Sequence, residues 1–422
     1  MKRYIFFLLL VSVLIAKAQN ISNYRIGFDK CDAGDGALKV ECSFVINFAG
    51  QDSVVLDFGG TLEAEAVQDL HITPDNVKYN FNPTVKQITF YRNHSDWQRV
   101  AMEYIFMNLT SVLMYDGSGA EIWESIYSSS GEFYYPMRRG TDYEGEVKFT
   151  APDSLLVIMQ GGTDATQWQS INRCVPINFA FLNKAVYAKQ TMTGNYGCEV
   201  YQVIGEQADS ARYETLCQLT EKSIRWFEEM YGEDYLCDRY GAAAYPAFIF
   251  HKGNGSFNRY NMGFISASQE KFAPYPDIYP LIHEIGHRWM GEYTMFIESG
   301  ERGYAFIIET LNEFMTLMCI RDIVGIEEYE TLLDSCRASW NKIKDTEQDI
   351  HPVDVTDNNN ISVTYRKGIV MLDNIAQEIG YDTVVFSIAR FYNECNGKPD
   401  LQYADFERLC GPIHDKLYDM QD

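Results

Sequence analysis

The chain has 422 residues, with 59 acidic against 35 basic side chains and a formal charge of −24. Acidity of that size excludes nucleic acid and anionic membrane as partners drawn by charge, and the length exceeds one ordinary core, so two or three domains are expected. The ten cysteines contain no Cys-x-x-Cys pair, which argues against a thiolate metal centre.

Met1-Lys2-Arg3 is a basic start, and the apolar run 4–16 is too short for a comfortable membrane span. Ala16-Lys17-Ala18 is a small-x-small cleavage site. Residues 1–18 therefore read as a secretory signal, with an exported mature chain bound for periplasm, cell surface or medium. No later run is apolar enough to span a bilayer. Export permits disulfides, and Cys31 and Cys42 are placed to face each other across a hairpin turning at 33–36. Cys319, in an apolar run, reads as a buried free thiol.

From 19 to 205 the pattern is strand-like. Runs at 24–31, 38–48, 53–58, 87–91, 99–106, 145–150, 154–159, 178–182 and 199–204 are β-branched or aromatic. Gly, Asp, Asn and Pro punctuate them, which predicts an antiparallel β-sandwich or open saddle. Beyond Ala208 the period becomes helical. A helix over 211–231 and strands over 245–251 and 262–268 come first. Helices over 277–293, 304–323, 326–343, 364–379, 383–396 and 403–409 follow. The expected fold is α+β, a β domain over 19–205 followed by a mainly helical domain over 206–422.

His283-Glu284-Ile285-Gly286-His287 lies in the first of those later helices. Histidines four apart share one helix face and can converge on a single metal ion. The glutamate beside the first is placed to act on water at that ion, the H-E-x-x-H arrangement of zinc peptidases. A tetrahedral catalytic zinc needs a third protein ligand. Glu309 and Glu313 both qualify, one turn apart on the next predicted helix, and local physics does not choose between them. Glu298 and Glu301 sit in a polar connection less suited to a fixed ligand.

His283-Glu284-x-x-His287-x-Trp289-x-Gly291 resembles the H-E-x-x-H-x-W-x-G of the membrane alanyl aminopeptidase family of gluzincins. Leu311-Asn312-Glu313-Phe314 is similar to that family's L-N-E-G-F, and Tyr365-Arg366-Lys367-Gly368 to its Y-x-K-G. The resemblance implies a thermolysin-like catalytic domain and one zinc per chain, bound by His283, His287 and Glu313. It further implies Glu284 as general base, Tyr365 as support for the oxyanion, and a peptide or protein as substrate. More residues separate His287 from Glu313 than the family places there, which predicts an extra surface loop around 297–303.

The family's G-x-M-E-N strand, which holds the substrate amine, has no clear copy. Met262, Gly263 and Phe264 stand in its place as candidate substrate contacts, within an edge strand that would pair with extended peptide. Arg138 and Arg139, after Tyr135-Pro136, are the other candidates. The chain is expected to be a short form without the family's C-terminal helical domain. Zinc hydrolysis of peptides, aminopeptidase-like, is the leading expectation. Cleavage of internal or blocked peptides and a non-catalytic cell-surface binding role are the alternatives.

Overall fold

A computed structural model describes residues 21–30, 37–59, 67–107, 110–115, 121–127, 133–137, 145–159, 166–171, 177, 179–192, 198–203, 210–232, 247–251, 264–268, 278–291, 295, 297, 300–356, 360–398 and 400–419. The expected signal segment, Cys31, Arg138, Arg139, Met262 and Gly263 lie outside them.

Three sheets occupy the N-terminal region. The first runs β13 (Gln169–Ile171), β11 (Gly145–Thr150), β1 (Ile21–Asp29), β2 (Leu38–Asn47), β7 (Trp97–Phe106), β4 (Val67–Thr73). The second runs β10 (Phe133–Met137), β3 (Ser53–Gly59), β6 (Gln87–Tyr91), β5 (Lys78–Asn82). The third runs β12 (Leu155–Met159), β14 (Phe179–Asn183), β9 (Glu121–Tyr127), β8 (Thr110–Tyr115). Pairing within them is antiparallel except between β1 and β11. In β2, Leu38, Val40, Cys42, Phe44 and Ile46 alternate with more exposed residues, so one face is core. Aromatic rings fill that core: Phe28 stacks on Phe149 at 4.9 Å, and Phe179 meets Phe28 at 5.3 Å. Each such buried ring stabilises by roughly 1.5–3 kcal/mol relative to leaving it in water.

Cys42 corrects the hairpin disulfide expectation. It lies opposite Ile26 in the β1–β2 register and is a buried free thiol, held against the Tyr104 hydroxyl. Cys319 is a buried free thiol, as its apolar context implied.

A fourth sheet runs β15 (Tyr187–Met192), β16 (Cys198–Val203), β17 (Ala247–His251), β18 (Phe264–Ser268). It draws strands from both sides of residue 205, where the change of period placed a boundary. Between its halves lies α1 (Ser210–Tyr231), and after it come α2 (Ile278–Gly286), α3 (Leu311–Ile323), α4 (Ile326–Asn341), α5 (Gly368–Ile379), α6 (Tyr381–Cys395), α7 (Tyr403–Leu409) and α8 (Gly411–Asp419). No described helix is long and apolar enough to cross a membrane.

Helix α3 is buried on every side from Leu311 to Ile320, so it is the central rod of the helical region. It packs against α1, α2, α4 and α5. Two of these helices begin with π-helical turns, Phe306–Thr310 before α3 and Val363–Lys367 before α5. Of the expected loop around 297–303, residues 298 and 299 lie outside the described residues; Gly300 N donates to Thr356 O at 2.9 Å, and Gly303 N to Val353 O at 2.8 Å.

Asp405 fixes the start of α7. Its carboxylate accepts from Gln402 N at 3.2 Å, in a reciprocal capping box, and pairs with Lys398 at 2.6 Å. Burial opposes the charge, yet these partners hold the carboxyl below its usual range. Such a group stabilises the fold above its unfolded pKa and loses that contribution as pH falls through its folded value. Asp405→Ala is therefore expected to cost about 1 kcal/mol at neutral pH, and less below roughly pH 4. Urea unfolding at pH 7 and pH 3 measures this; a gap that stays constant would show that the ionised form contributes nothing.

Candidate metal centre

Helix α2 carries the first candidate ligands. Leu281, Ile282 and Ile285 bury its apolar side, leaving His283 and Glu284 on the side turned to α3 and the π turn 363–367. The helix ends at Gly286, earlier than periodicity implied, because Trp289 N and Met290 N both turn back to Gly286 O at 3.0 Å. His287 sits just past that end yet keeps its bond from N to His283 O at 3.2 Å, so the two rings still share a face. Their Nε2 atoms lie 2.9 Å apart. Gly286 permits close packing: a Cβ there would collide with the Asn312 side-chain oxygen and lie 2.9 Å from the Phe227 ring.

The carboxylate that approaches both Nε2 atoms, as a third ligand would, is Glu309. Its Oε2 is 3.5 Å from His283 Nε2 and 3.3 Å from His287 Nε2. Glu313, which the motif resemblance favoured, instead places Oε1 3.5 Å from His283 Nδ1, the nitrogen facing away from His287. Bonds of about 2.0–2.2 Å in tetrahedral zinc put the donor atoms about 3.3 Å apart. The Nε2, Nε2, Oε2 triangle is close to that size, so these residues fit a zinc ion. Glu313 is on the wrong side of the imidazole for the same role. The π-helical turn 306–310 is where Glu309 lies, and such turns recur at functional sites.

Outer contacts orient both rings. His287 Nδ1 is 2.8 Å from Met290 O. His283 Nδ1 faces Glu313, while Asn312 Nδ2 donates to His283 O at 2.8 Å. Occupying the outer nitrogens leaves each Nε2 to serve as the inner ligand atom.

The centre is buried and rich in acid. Glu284, Glu309 and Glu313 are each under a tenth exposed. Burial pushes the Glu284 carboxyl up to about 8, against the pull of His283 and His287. Burial would raise Glu309 as well, but His287 and His283 overcome it and hold that carboxyl well below its usual range. Burial likewise works against charge on His283, and the Glu313 and Glu284 carboxylates outweigh it and raise its pKa. A dication between the histidines would take over that counter-charge and draw Glu284 back toward ionisation. His283, Glu284 and His287 offer donor atoms within 4.8 Å of one another.

Tyr365 enters from the second π turn. Its ring centre is 5.9 Å from that of His283, and its hydroxyl bonds to Glu309. Burial first, and the facing carboxylates next, push its phenol far up, so it stays protonated and able to donate. The turn is clamped to the first one: Thr310 Oγ1 donates to Thr364 O at 2.8 Å, and Gly368 leaves no room for a Cβ against Thr310. Lys367 ties its far side to Asp349 at 2.8 Å and to Ile350 O at 2.9 Å.

Of the predicted substrate contacts, Phe264 opens β18, parallel to β17 and last in its sheet. Arg138, Arg139, Met262 and Gly263 lie outside the described residues.

No family model and no curated protein sequence matches the chain. Solved structures match its fold. The chain aligns with yeast LTA4 hydrolase in complex with bestatin at TM-score 0.64 and 14% identity, over 96% of this chain and 67% of that one. Native leukotriene A4 hydrolase from Saccharomyces cerevisiae gives 0.65 and 14% over the same shares. An M1 zinc metallopeptidase from Deinococcus radiodurans gives 0.62 and 10%, over 95% of this chain and 94% of that one. At such low identity the likeness is one of fold: an N-terminal β-sheet domain followed by a mainly helical region, arranged as in M1 zinc metallopeptidases.

Proposed function

We propose that this chain is an exported zinc-dependent peptidase of the M1 type, holding one zinc ion between His283, His287 and Glu309. The observation that carries the reading is the convergence of two Nε2 atoms and one carboxylate oxygen within 3.5 Å, with Glu284 and Tyr365 beside them. The M1 fold supports it, and the small-x-small site after a short apolar run supports export. The β region is taken as a platform that shapes the cleft. The helical region, together with the fourth sheet, is taken as the catalytic domain.

His283, His287 and Glu309 would hold the zinc ion, which would supply a water of near-neutral pKa and polarisation of a substrate carbonyl. Glu284 takes the proton of the attacking water as general base and returns it to the leaving amine. The Tyr365 hydroxyl donates a hydrogen bond to the oxygen on which negative charge develops. Glu313 and Met290 O hold the histidines by their outer nitrogens, so the ligand atoms need no rearrangement. Extended substrate pairs with the β18 edge. Phe264-Ile265-Ser266-Ala267-Ser268 brings no carboxylate to that strand, which favours tolerance of internal or N-blocked peptides over a strict demand for a free amine.

Zinc content separates the two glutamates. Glu309→Ala is expected to lose the metal, whereas Glu313→Ala keeps it with affinity weakened about 10- to 100-fold. If only the Glu313 variant comes off purification without zinc, Glu309 is not the ligand.

Activity is read by digesting a peptide library, with free and N-acetylated termini, with and without a chelator. Cleavage is expected only without chelator, and Glu284→Gln should retain zinc while turnover falls about 10²- to 10⁴-fold. A zinc-loaded chain that cuts neither peptide set would point to a binding protein built on this fold.

A further inference from the structure

Arg366 follows Tyr365 directly and ties it to the metal-binding helix. Its Nη1 donates to the Tyr365 carbonyl at 2.9 Å and to the Tyr279 hydroxyl at 3.0 Å. Its guanidinium carbon lies 5.6 Å from the centre of the Tyr279 ring. Tyr279 belongs to the first turn of α2, four residues before His283, and its hydroxyl also meets the Glu313 carboxylate. That carboxylate is the one beside His283 Nδ1. A chain of polar contacts therefore runs from the main chain of Tyr365 through Arg366, Tyr279 and Glu313 to the outer face of His283.

The chemistry of each member suits a tether. Guanidinium is planar and permanently charged, with several donors fixed in direction, so one side chain can hold two oxygens at set angles. Arg366 is half-buried, and Glu313 supplies the opposite charge that makes this tolerable. The contacts join three separate elements: the π turn 363–367, α2 and α3. Packing of the two π turns at Thr310 and Gly368 fixes how close they lie. Lys367 holds the far side of the Tyr365 turn, and the Arg366 bond to Tyr279 is a link from that turn to α2 itself.

We infer that Arg366 is a positioning residue that, through Tyr279, sets the Tyr365 hydroxyl against the His283–His287–Glu309 centre. The inference rests on the proposed role of Tyr365. An ångström of misplacement at such a group can cost about a hundredfold in rate, so a tether of this kind has a measurable effect.

The test uses the zinc-loaded full chain and a peptide that the parent cleaves. Arg366→Ala, Arg366→Lys and Tyr279→Phe are compared alone and combined with Tyr365→Phe. Zinc content, kcat and KM are measured, with the Kd of a phosphinic peptide that mimics the oxyanion. Arg366→Ala and Tyr279→Phe should each lower kcat about ten-fold and weaken the phosphinic peptide comparably, with KM and zinc content little changed. Arg366→Lys should fall between, because an ammonium keeps the charge but not the fork. In the Tyr365→Phe background each should cost less than about two-fold further, since residues acting through one group are not additive.

Losses that multiply in full with Tyr365→Phe would overturn the inference, as would parent kcat in Arg366→Ala or loss of zinc in place of kcat. Should Arg366→Ala fail to fold, Tyr279→Phe, which deletes one oxygen, carries the same decision. If Tyr365→Phe alone keeps the parent kcat, the role of Tyr365 falls and the inference with it. If Tyr365→Phe is impaired while Arg366→Ala and Tyr279→Phe are not, only the inference falls.

Discussion

The close approach of α2 to the rod formed by the π turn 306–310 and α3 is the constraint on which the site depends. Only a residue without a side chain lets these elements meet as they do, and Gly286 sits where a Cβ would strike Asn312 and Phe227. That contact brings His283 within reach of both Glu309 and Glu313, one on each side of its ring. It also places three carboxylates and two imidazoles in one buried space. Without a cation the balance is poor: burial raises Glu284 while the carboxylates raise both histidines. A dication held there, as proposed, would relieve both.

The π turns give this packing its direction. Each adds a residue to a helical turn, and each carries one of the site groups, Glu309 on the first and Tyr365 on the second. They meet at Thr310, Thr364 and Gly368, a small-residue contact that lets two backbones approach closely. Aromatic stacking of Trp289 on Phe227, with ring centres 5.3 Å apart, fixes the end of the motif helix from the other side. In the proposed reaction, groups on such interlocked elements would need little rearrangement.

Much of the architecture was legible from pattern. The switch from period two to helical period near residue 208 precedes the first long helix, with two further strands after it, and strongly alternating runs such as 38–48 form central strands. The strands that pattern did not reveal are mostly peripheral. β4 and β5 end their sheets and are largely exposed, so the alternation in them is short: Leu70 and Ile72 in Val67–Thr73, Tyr79 and Phe81 in Lys78–Asn82. Helix α8 was hidden for a similar reason: a nine-residue helix that buries only Ile413 and Leu417 leaves a faint period.

At the site, the sequence by itself singled out the candidate metal-binding residues: His283, Glu284 and His287 are recognisable because four-residue spacing on a helical path places both histidines on one face. It also narrowed the remaining carboxylate to Glu309 or Glu313. The choice between them belonged to tertiary structure, because both lie one turn apart on the same rod and differ only in which nitrogen of His283 they face. Motif likeness pointed to Glu313, whereas the π turn and the depth at which α2 meets the rod put Glu309 beside both Nε2 atoms. The link from Arg366 to Tyr279 joins residues 87 positions apart and was likewise invisible in one dimension. Local spacing specifies residues within a turn of each other; the facing of one element toward another is set by shape, which only the packed chain possesses.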